Sequence, residues 1–329
     1  MNKLPFEGIK LDIITLRSAE TSDKFGGNSN ERTVEQMIKS GIIVLNKVSG
    51  PTSHQVSDYL KRIFGLKKAG HSGTLDPNVT GVLPVALGKA TRIVQVLLPA
   101  GKEYVCIMHL HEEISKEKVQ AIFDKFTGKI KQLPPVKSAV KRRLRERNVY
   151  YIELMEIQGQ DVLFRIGCQA GTYIRKICHD MGQDLGIGAH MAQLIRTKVG
   201  PFDDKEKWTL QQVRDAYWYY KEEGNEKYIR KVIKPVESAV QQIPKVWVFD
   251  SAVDSLCHGS DLKMPGISRI NSGIEHESNV AVMSLKDELI AIGTAMMSSG
   301  EMQNYAKGIA VKTHKIFMEE GTYPKVSLQ

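Results

Sequence analysis

One segment limits the fold more than any other: residues 69–91, AGHSGTLDPNVTGVLPVALGKAT, where Gly70, Gly73, Gly81 and Gly88 mingle with Pro77 and Pro84 and the only acid is Asp76. Glycine and proline at such intervals interrupt helical hydrogen bonding and supply turn conformations, so this stretch is expected to be turns and loop. The flanks are regular. GIIVLNK (41–47) reads as a strand, and GPTSHQVSDYLKRIFG as a helix with Ser53 as N-cap, Val56, Tyr59, Leu60, Ile63 and Phe64 inward, and Gly65 as the stop. KEYVCIMHLH (102–111) is rich in β-branched and aromatic residues and is expected to be a strand. SKEKVQAIFDKFTG (115–128) is expected to be a helix burying Val119, Ile122, Phe123 and Phe126. YYIELMEI (150–157) and DVLFRIGC (161–168) read as paired strands. GTYIRKICHDMGQDLG follows as a helix capped by Thr172, with Ile174, Ile177, Cys178, Met181 and Leu185 facing the core. TLQQVRDAYWYYKEEGNEK (209–227) supplies a further helix and a break. Strands and helices mix without βαβ regularity, which predicts an α+β fold rather than a doubly wound sheet.

The character changes after Pro244. KVWVFD, SNVAVMSLKDELIAIGTAMM and AKGIAVKTHKIFM are short strands between glycine and aspartate turns, the pattern of a small, separate β-rich domain. A chain of 329 residues is expected to hold two domains. KFGGNSNER (24–32) reads as a loop or linker after an irregular start. No stretch approaches the ~18 apolar residues of a membrane span. The amino terminus also lacks the pattern of a secretory signal, so the cytosol is the expected compartment.

The formal net charge is +9, and the excess lies early: 38 basic and 27 acidic side chains precede Val240, against 8 and 10 from there on. KSAVKRRLRER (137–147) and KRIFGLKKAGH (61–71) concentrate it. Such clusters suit a polyanion, because each cation that meets a phosphate releases a counterion, although a solvated face would have the same composition. Cys106, Cys168, Cys178 and Cys257 form no C-x-x-C pair and read as buried free thiols. His109 and His111 would share a strand face, but a metal needs further ligands. Asp76 taken alone is a turn former before Pro77; with no second carboxylate nearby, it suits a lone nucleophile or base better than a paired acid and base.

AGHSGTLDPNVTGVLPVALGKATR (69–92) resembles the signature motif of the TruB family of RNA pseudouridine synthases, in which the aspartate of GTLDP is catalytic. KVSGPTS (47–53) is similar to the preceding family motif, with Val48 and Ser49 where two prolines are usual. KEYV (102–105), GTYIRKICHDMG (171–182) and HMAQLIRTKVGPF (190–202) are similar to the motifs that follow. KSAVKRRLRERNVYYIELMEI (137–157) and the segment from Lys245 to Val326 resemble the archaeal dyskerin-type branch, with Ser72 where that branch usually has glycine. The resemblance implies a pseudouridine synthase domain with a mixed, mainly antiparallel sheet over residues 41–245, a barrel-like PUA domain over 246–329, and an extension, 1–40, packing on the PUA domain.

It also implies Asp76, Tyr104 and Arg175 as catalytic residues and His71, Tyr173 and Leu194 as substrate contacts, with no metal and no cofactor. Isomerising uridine breaks a glycosidic bond and rejoins the sugar to carbon 5 of the base, with no redox change. Arg175 would keep Asp76 ionised in a desolvated site, or contact phosphate. Tyr104 would stack on the flipped base, or simply pack its strand; Tyr173 and Leu194 would wall the pocket, or fill core. The implied partners are H/ACA guide RNA, substrate rRNA or tRNA, and the other H/ACA core proteins: the small Nop-type protein, the Gar-type protein and the kink-turn-binding ribosomal-type protein. A stand-alone tRNA pseudouridine-55 synthase and a non-catalytic RNA-binding scaffold are the competing readings.

Overall fold

The computed structural model describes residues 3–134, 141 and 143–325; residues 137–140 and 142 of the basic run, and the chain's last four residues, lie outside the described residues. The chain begins with β1 (Ile13–Thr15), α1 (Val34–Ser40), β2 (Gly41–Lys47), α2 (Ser53–Ile63), β3 (Ala69–His71), β4 (Thr80–Leu87) and a short α3 (Val94–Leu97). It continues through β5 (Lys102–Leu110), α4 (Lys116–Phe126), β6 (Gly128–Gln132), β7 (Arg145–Gln158), β8 (Asp161–Cys168), α5 (Ile174–Asp184), β9 (Ala189–Val199) and β10 (Phe202–Asp203). Helices α6 (Leu210–Glu223) and α7 (Glu226–Val232) then lead to β11 (Lys234–Pro235). The described strands of this part form one sheet in the order β11-β2-β4-β9-β5-β8-β7-β6, with β3 beside β4 and β10 beside β9. Its pairings are antiparallel except that of β4 with β9.

The second sheet is built from β12 (Lys245–Val248), α8 (Asp250–Cys257), β13 (Leu262–Lys263), β14 (Ile267–Asn271), β15 (Asn279–Met283), β16 (Leu289–Ala295), α9 (Ser299–Asn304) and β17 (Ile309–Ile316). Its order is β1-β14-β12-β15-β16-β17-β13, so the amino-terminal segment supplies an edge strand, Ile13–Thr15 against Arg269–Asn271. The β-rich part is therefore less separate than its composition suggests. A shared core joins the two sheets, with Trp247, Leu289 and Phe317 packed among Ile42, Ile93, Leu97 and Phe202. Each such side chain withdrawn from water is worth ~1.5–3 kcal/mol, which fixes the second sheet against the first.

Four local expectations change. Residues 80–87 form strand β4 in the interior of the sheet despite Gly81 and Pro84. Pro84 is tolerated because one edge of β4 pairs with β9 only at Thr80 and Gly81 and with β3 from Val85 onward, leaving a gap where no amide donor is needed. The N-cap of α2 is Thr52, in a capping box with Gln55, and Ser53 is already inside the helix. Tyr59 is 42% exposed, while Val56, Leu60 and Phe64 face the core. The N-cap of α5 is Tyr173 without a side-chain cap bond, because the Thr172 hydroxyl donates instead to the carbonyl of Gln169.

Candidate active site

The loop between β3 and β4 carries Asp76, and the backbone groups of Gly73, Leu75, Pro77 and Val79 around it are tied down. The Ser53 hydroxyl accepts from the Leu75 amide at 2.8 Å and donates to the Leu75 carbonyl at 3.2 Å. Lys47, only 1% exposed at the end of β2, donates to the carbonyls of Val48, Pro77 and Val79 at 2.9–3.0 Å. The amide of Gly50 adds a bond to Pro77, and the Val79 amide closes a turn onto the Asp76 carbonyl. Ahead of the turn, the Arg196 guanidinium donates to the Gly73 carbonyl at 3.2 Å and the Ser72 amide to that of Pro84. Leu75 and Val79 anchor the loop in the same core cluster as Tyr104 and Leu194. A proline and buried apolar side chains thus bracket one carboxylate that points out of a rigid turn.

That carboxylate is ion-paired to Arg175, in the first turn of α5. The two side chains are 55% and 54% exposed. The expected buried pair is therefore corrected: in the free protein the charges stay hydrated, and an exposed pair contributes ~0–1 kcal/mol to folding. Its value lies in what happens when a ligand covers it. Tyr173, next to Arg175, is held by Gln132 of β6, whose side-chain amide accepts from the Tyr173 amide at 3.0 Å and donates to its carbonyl at 3.2 Å.

Tyr104 lies on β5, directly opposite Arg196 of β9 and only 8% exposed, within electrostatic reach of Asp76. Burial pushes its phenol up to about 12 against the opposing effect of Arg196, so the phenol is neutral near pH 7. Leu194, 8% exposed, is two residues from Arg196 on the same strand face. His71 ends β3, and its Nδ1 accepts from the Gly73 amide at 3.3 Å. Burial, with help from Arg196 and His54, lowers the pKa of His71; its imidazole is neutral at pH 7 with the proton on Nε2. All six predicted site residues therefore sit on the loop after β3 or on the elements that pack around it.

Sequence reasoning passed over four residues of this framework: Lys47, Ser53 in its clamping role, Gln132 and Arg196. The signal for Arg196 was a cation at a core-facing position of an apolar strand, two residues after Leu194. Elsewhere, all four cysteines are free and buried. His190 joins His109 and His111, with ring centroids 5.2 and 5.3 Å from theirs, and Asp161 binds His109. Among the described residues no His, Cys, Asp or Glu group could hold a metal ion, and no helix is long and apolar enough to cross a membrane.

Comparison with known proteins decides the family. Residues 61–174 match the TruB family pseudouridylate synthase N-terminal domain and 175–241 the tRNA pseudouridylate synthase B C-terminal domain. The chain belongs to the TruB family of pseudouridine synthases. Two further models extend this TruB protein, a PUA domain over 244–317 and a DKCLD domain over 5–57. It is 55% identical to the probable tRNA pseudouridine synthase B of Pyrococcus abyssi, over 97% of this chain and 96% of that one. The corresponding protein of Methanopyrus kandleri is 51% identical over 98% and 95%. Among TruB-like solved structures, a Cbf5–Nop10–Gar1 complex gives a TM-score of 0.95 at 52% identity, covering 99% of each chain. An H/ACA ribonucleoprotein bound to a substrate RNA containing 2′-deoxyuridine gives 0.93 at 50% identity, covering 98% of this chain and 99% of that one.

Proposed function

We propose that this TruB-family protein is the catalytic subunit of an H/ACA ribonucleoprotein and isomerises uridines selected by a guide RNA in rRNA or tRNA. One observation carries the reading: the likeness to the chains of the Cbf5–Nop10–Gar1 and substrate-bound H/ACA structures runs end to end, through the amino-terminal segment and the PUA domain as well as the catalytic sheet. Residues 1–40 then serve as the extension that braces the PUA domain, 41–245 as the catalytic domain and 246–329 as the anchor for guide RNA. Its partners are guide RNA, substrate RNA and the small Nop-type, Gar-type and kink-turn-binding proteins, and its working compartment is the cytoplasm.

The geometry supports the following roles. A flipped uridine meets Asp76 at the tip of its turn, where the carboxylate faces the sugar and base. Arg175 holds that carboxylate as an anion once RNA excludes water, since an opposite charge nearby offsets desolvation. Tyr104 borders the uracil and keeps its phenol proton at neutral pH. Leu194 and Tyr173 wall the pocket, and neutral His71 contacts RNA beside the flipped base. Carbon 1′ leaves nitrogen 1, the base turns, and carbon 1′ joins carbon 5; the proton lost from carbon 5 is balanced by one gained at nitrogen 1.

A second reading, a stand-alone tRNA synthase, is favoured by the tRNA pseudouridylate synthase B match at 175–241 and by the names of the relatives. Both are tested by incubating the protein with a tRNA T-arm alone, and with guide RNA, partner proteins and target RNA together. Guide-dependent conversion that Asp76→Asn abolishes is the expected result. Equal conversion of the T-arm without guide or partners transfers the protein to the second reading, and turnover by Asp76→Asn rejects the site.

A further inference from the structure

Among the described residues, Arg196 on β9 is the one buried arginine, 1% exposed within the catalytic sheet. A buried cation is costly unless it is paired. Among the described residues, however, Arg196 makes no ion pair with a carboxylate. Its Nε donates to the Val82 carbonyl at 2.8 Å and a terminal nitrogen to the Gly73 carbonyl at 3.2 Å. Those carbonyls lie on opposite sides of Asp76, three residues before it and six after. Strand pairing sets Arg196 opposite Gly81 of β4 on one side and opposite Tyr104 of β5 on the other. Gly81 has φ +105°, and a Cβ there would collide with the Arg196 carbonyl oxygen. The backbone of β4 is pressed onto this residue, and on the other side its side chain shares a sheet face with that of Tyr104, its partner across the strand pair.

We infer that Arg196 is a positioning residue of the isomerisation, bracketing the Asp76 turn through Gly73 and Val82 and setting its charge beside Tyr104 across the strand pair. The inference rests on the reading that Asp76 and Tyr104 meet the substrate. Three charged or titratable groups face Tyr104: Arg196 from β9, Cys168 from β8 and Asp76 from the loop. Burial pushes the Cys168 thiol up to about 12, which leaves Arg196 as the cation that eases ionisation of the phenol.

The test uses Arg196→Lys and Arg196→Met in the particle reconstituted with guide RNA, with Asp76→Asn as control and fluorotyrosine at position 104 as a spectroscopic probe. Arg196→Met is expected to lower kcat about a hundredfold with KM within a few fold, and Arg196→Lys, which keeps the charge but not both carbonyl bonds, about tenfold. The fluorophenol of the free protein should titrate at least about one unit higher in Arg196→Met, because the opposite charge is gone. A wild-type kcat, a defect confined to KM, or an unmoved fluorophenol overturns the inference. If Arg196→Met does not fold, the kcat and KM of Arg196→Lys decide by the same criteria. Activity retained by Asp76→Asn would instead reject the site assignment on which the inference rests.

Discussion

Ser53→Ala isolates the stiffness of the catalytic turn. The Ser53 hydroxyl is fully buried and satisfies both the amide and the carbonyl of Leu75, the residue before Asp76. Alanine removes both bonds and leaves two buried polar groups without a partner. A net hydrogen bond is worth ~1 kcal/mol and an orphaned buried group costs ~1–3 kcal/mol, so local opening of the turn should become easier by about 2 kcal/mol. The fold itself should survive, because Thr52 caps α2 and Val56 and Leu60 still pack its face. Native-state hydrogen exchange at the amides of Leu75 and Val79 reads the opening directly. About 2 kcal/mol corresponds to roughly a thirtyfold faster exchange, with amides of β5 and β8 unchanged. Pseudouridine formation should fall in kcat with guide RNA affinity retained. Unchanged exchange at Leu75 together with a wild-type rate would refute the claim that the Ser53 clamp rigidifies the Asp76 loop.

Three further outcomes are expected. Arg175→Ala should change folding stability by less than about 1 kcal/mol because the pair is exposed, yet lower pseudouridine formation about a hundredfold, since removing the partner of a charge covered by substrate costs ~3 kcal/mol or more; denaturant melts and single-turnover rates separate the two. Ser72→Ala should raise stability by ~1 kcal/mol in the same melts, because the Ser72 hydroxyl is fully buried without a partner among the described residues and its removal deletes an unsatisfied group. Lys102 is 5% exposed and burial pulls its ammonium down from 10.5 to about 8, so the folded state binds fewer protons than the unfolded one between those values. Stability relative to Lys102→Met should therefore rise by up to about 3 kcal/mol as pH climbs from 8 to 10.5, and be lost as pH falls back through 8; parallel pH–stability curves would contradict this.

Much of this was legible in the residues. The strand at 41–47 falls on its expected bounds, and the helices at 116–126 and 174–184 bury the faces their periodicity marked. The site was legible through GTLDP and TYIR, whose aspartate and arginine do pair. What escaped has a common cause. Pro84 and Gly81 argue locally for a turn, and only the change of neighbour along one edge of β4 makes a strand there possible. Ser53 resembles a cap because the preceding Thr52 is equally suited, and the choice depends on Leu75, far along the chain. Lys47 and Arg196 lie buried only because the sheet closes around them, with backbone carbonyls as partners. Such residues take their meaning from long-range backbone carbonyls, which composition and periodicity do not reveal.

The arrangement of charge suits the substrate of a pseudouridine synthase. RNA brings phosphates to the site, and each phosphate competes with Asp76 for any exposed cation, Arg175 included. Lys47, Lys102 and Arg196 are placed differently: all three are buried, and their hydrogen bonds go to backbone carbonyls, several of them in the Asp76 loop. Buried charges are screened far less by salt than surface ones. Phosphate cannot reach them. Burial lowers the pKa of each, so the fold bears a cost for keeping them charged. In return, a positive field under the loop persists whether or not RNA has drawn Arg175 away. Two sets of cations therefore divide the work: exposed Arg175 meets Asp76 and the ligand, while buried Lys47 and Arg196 hold the turn in place as the polyanion closes over it.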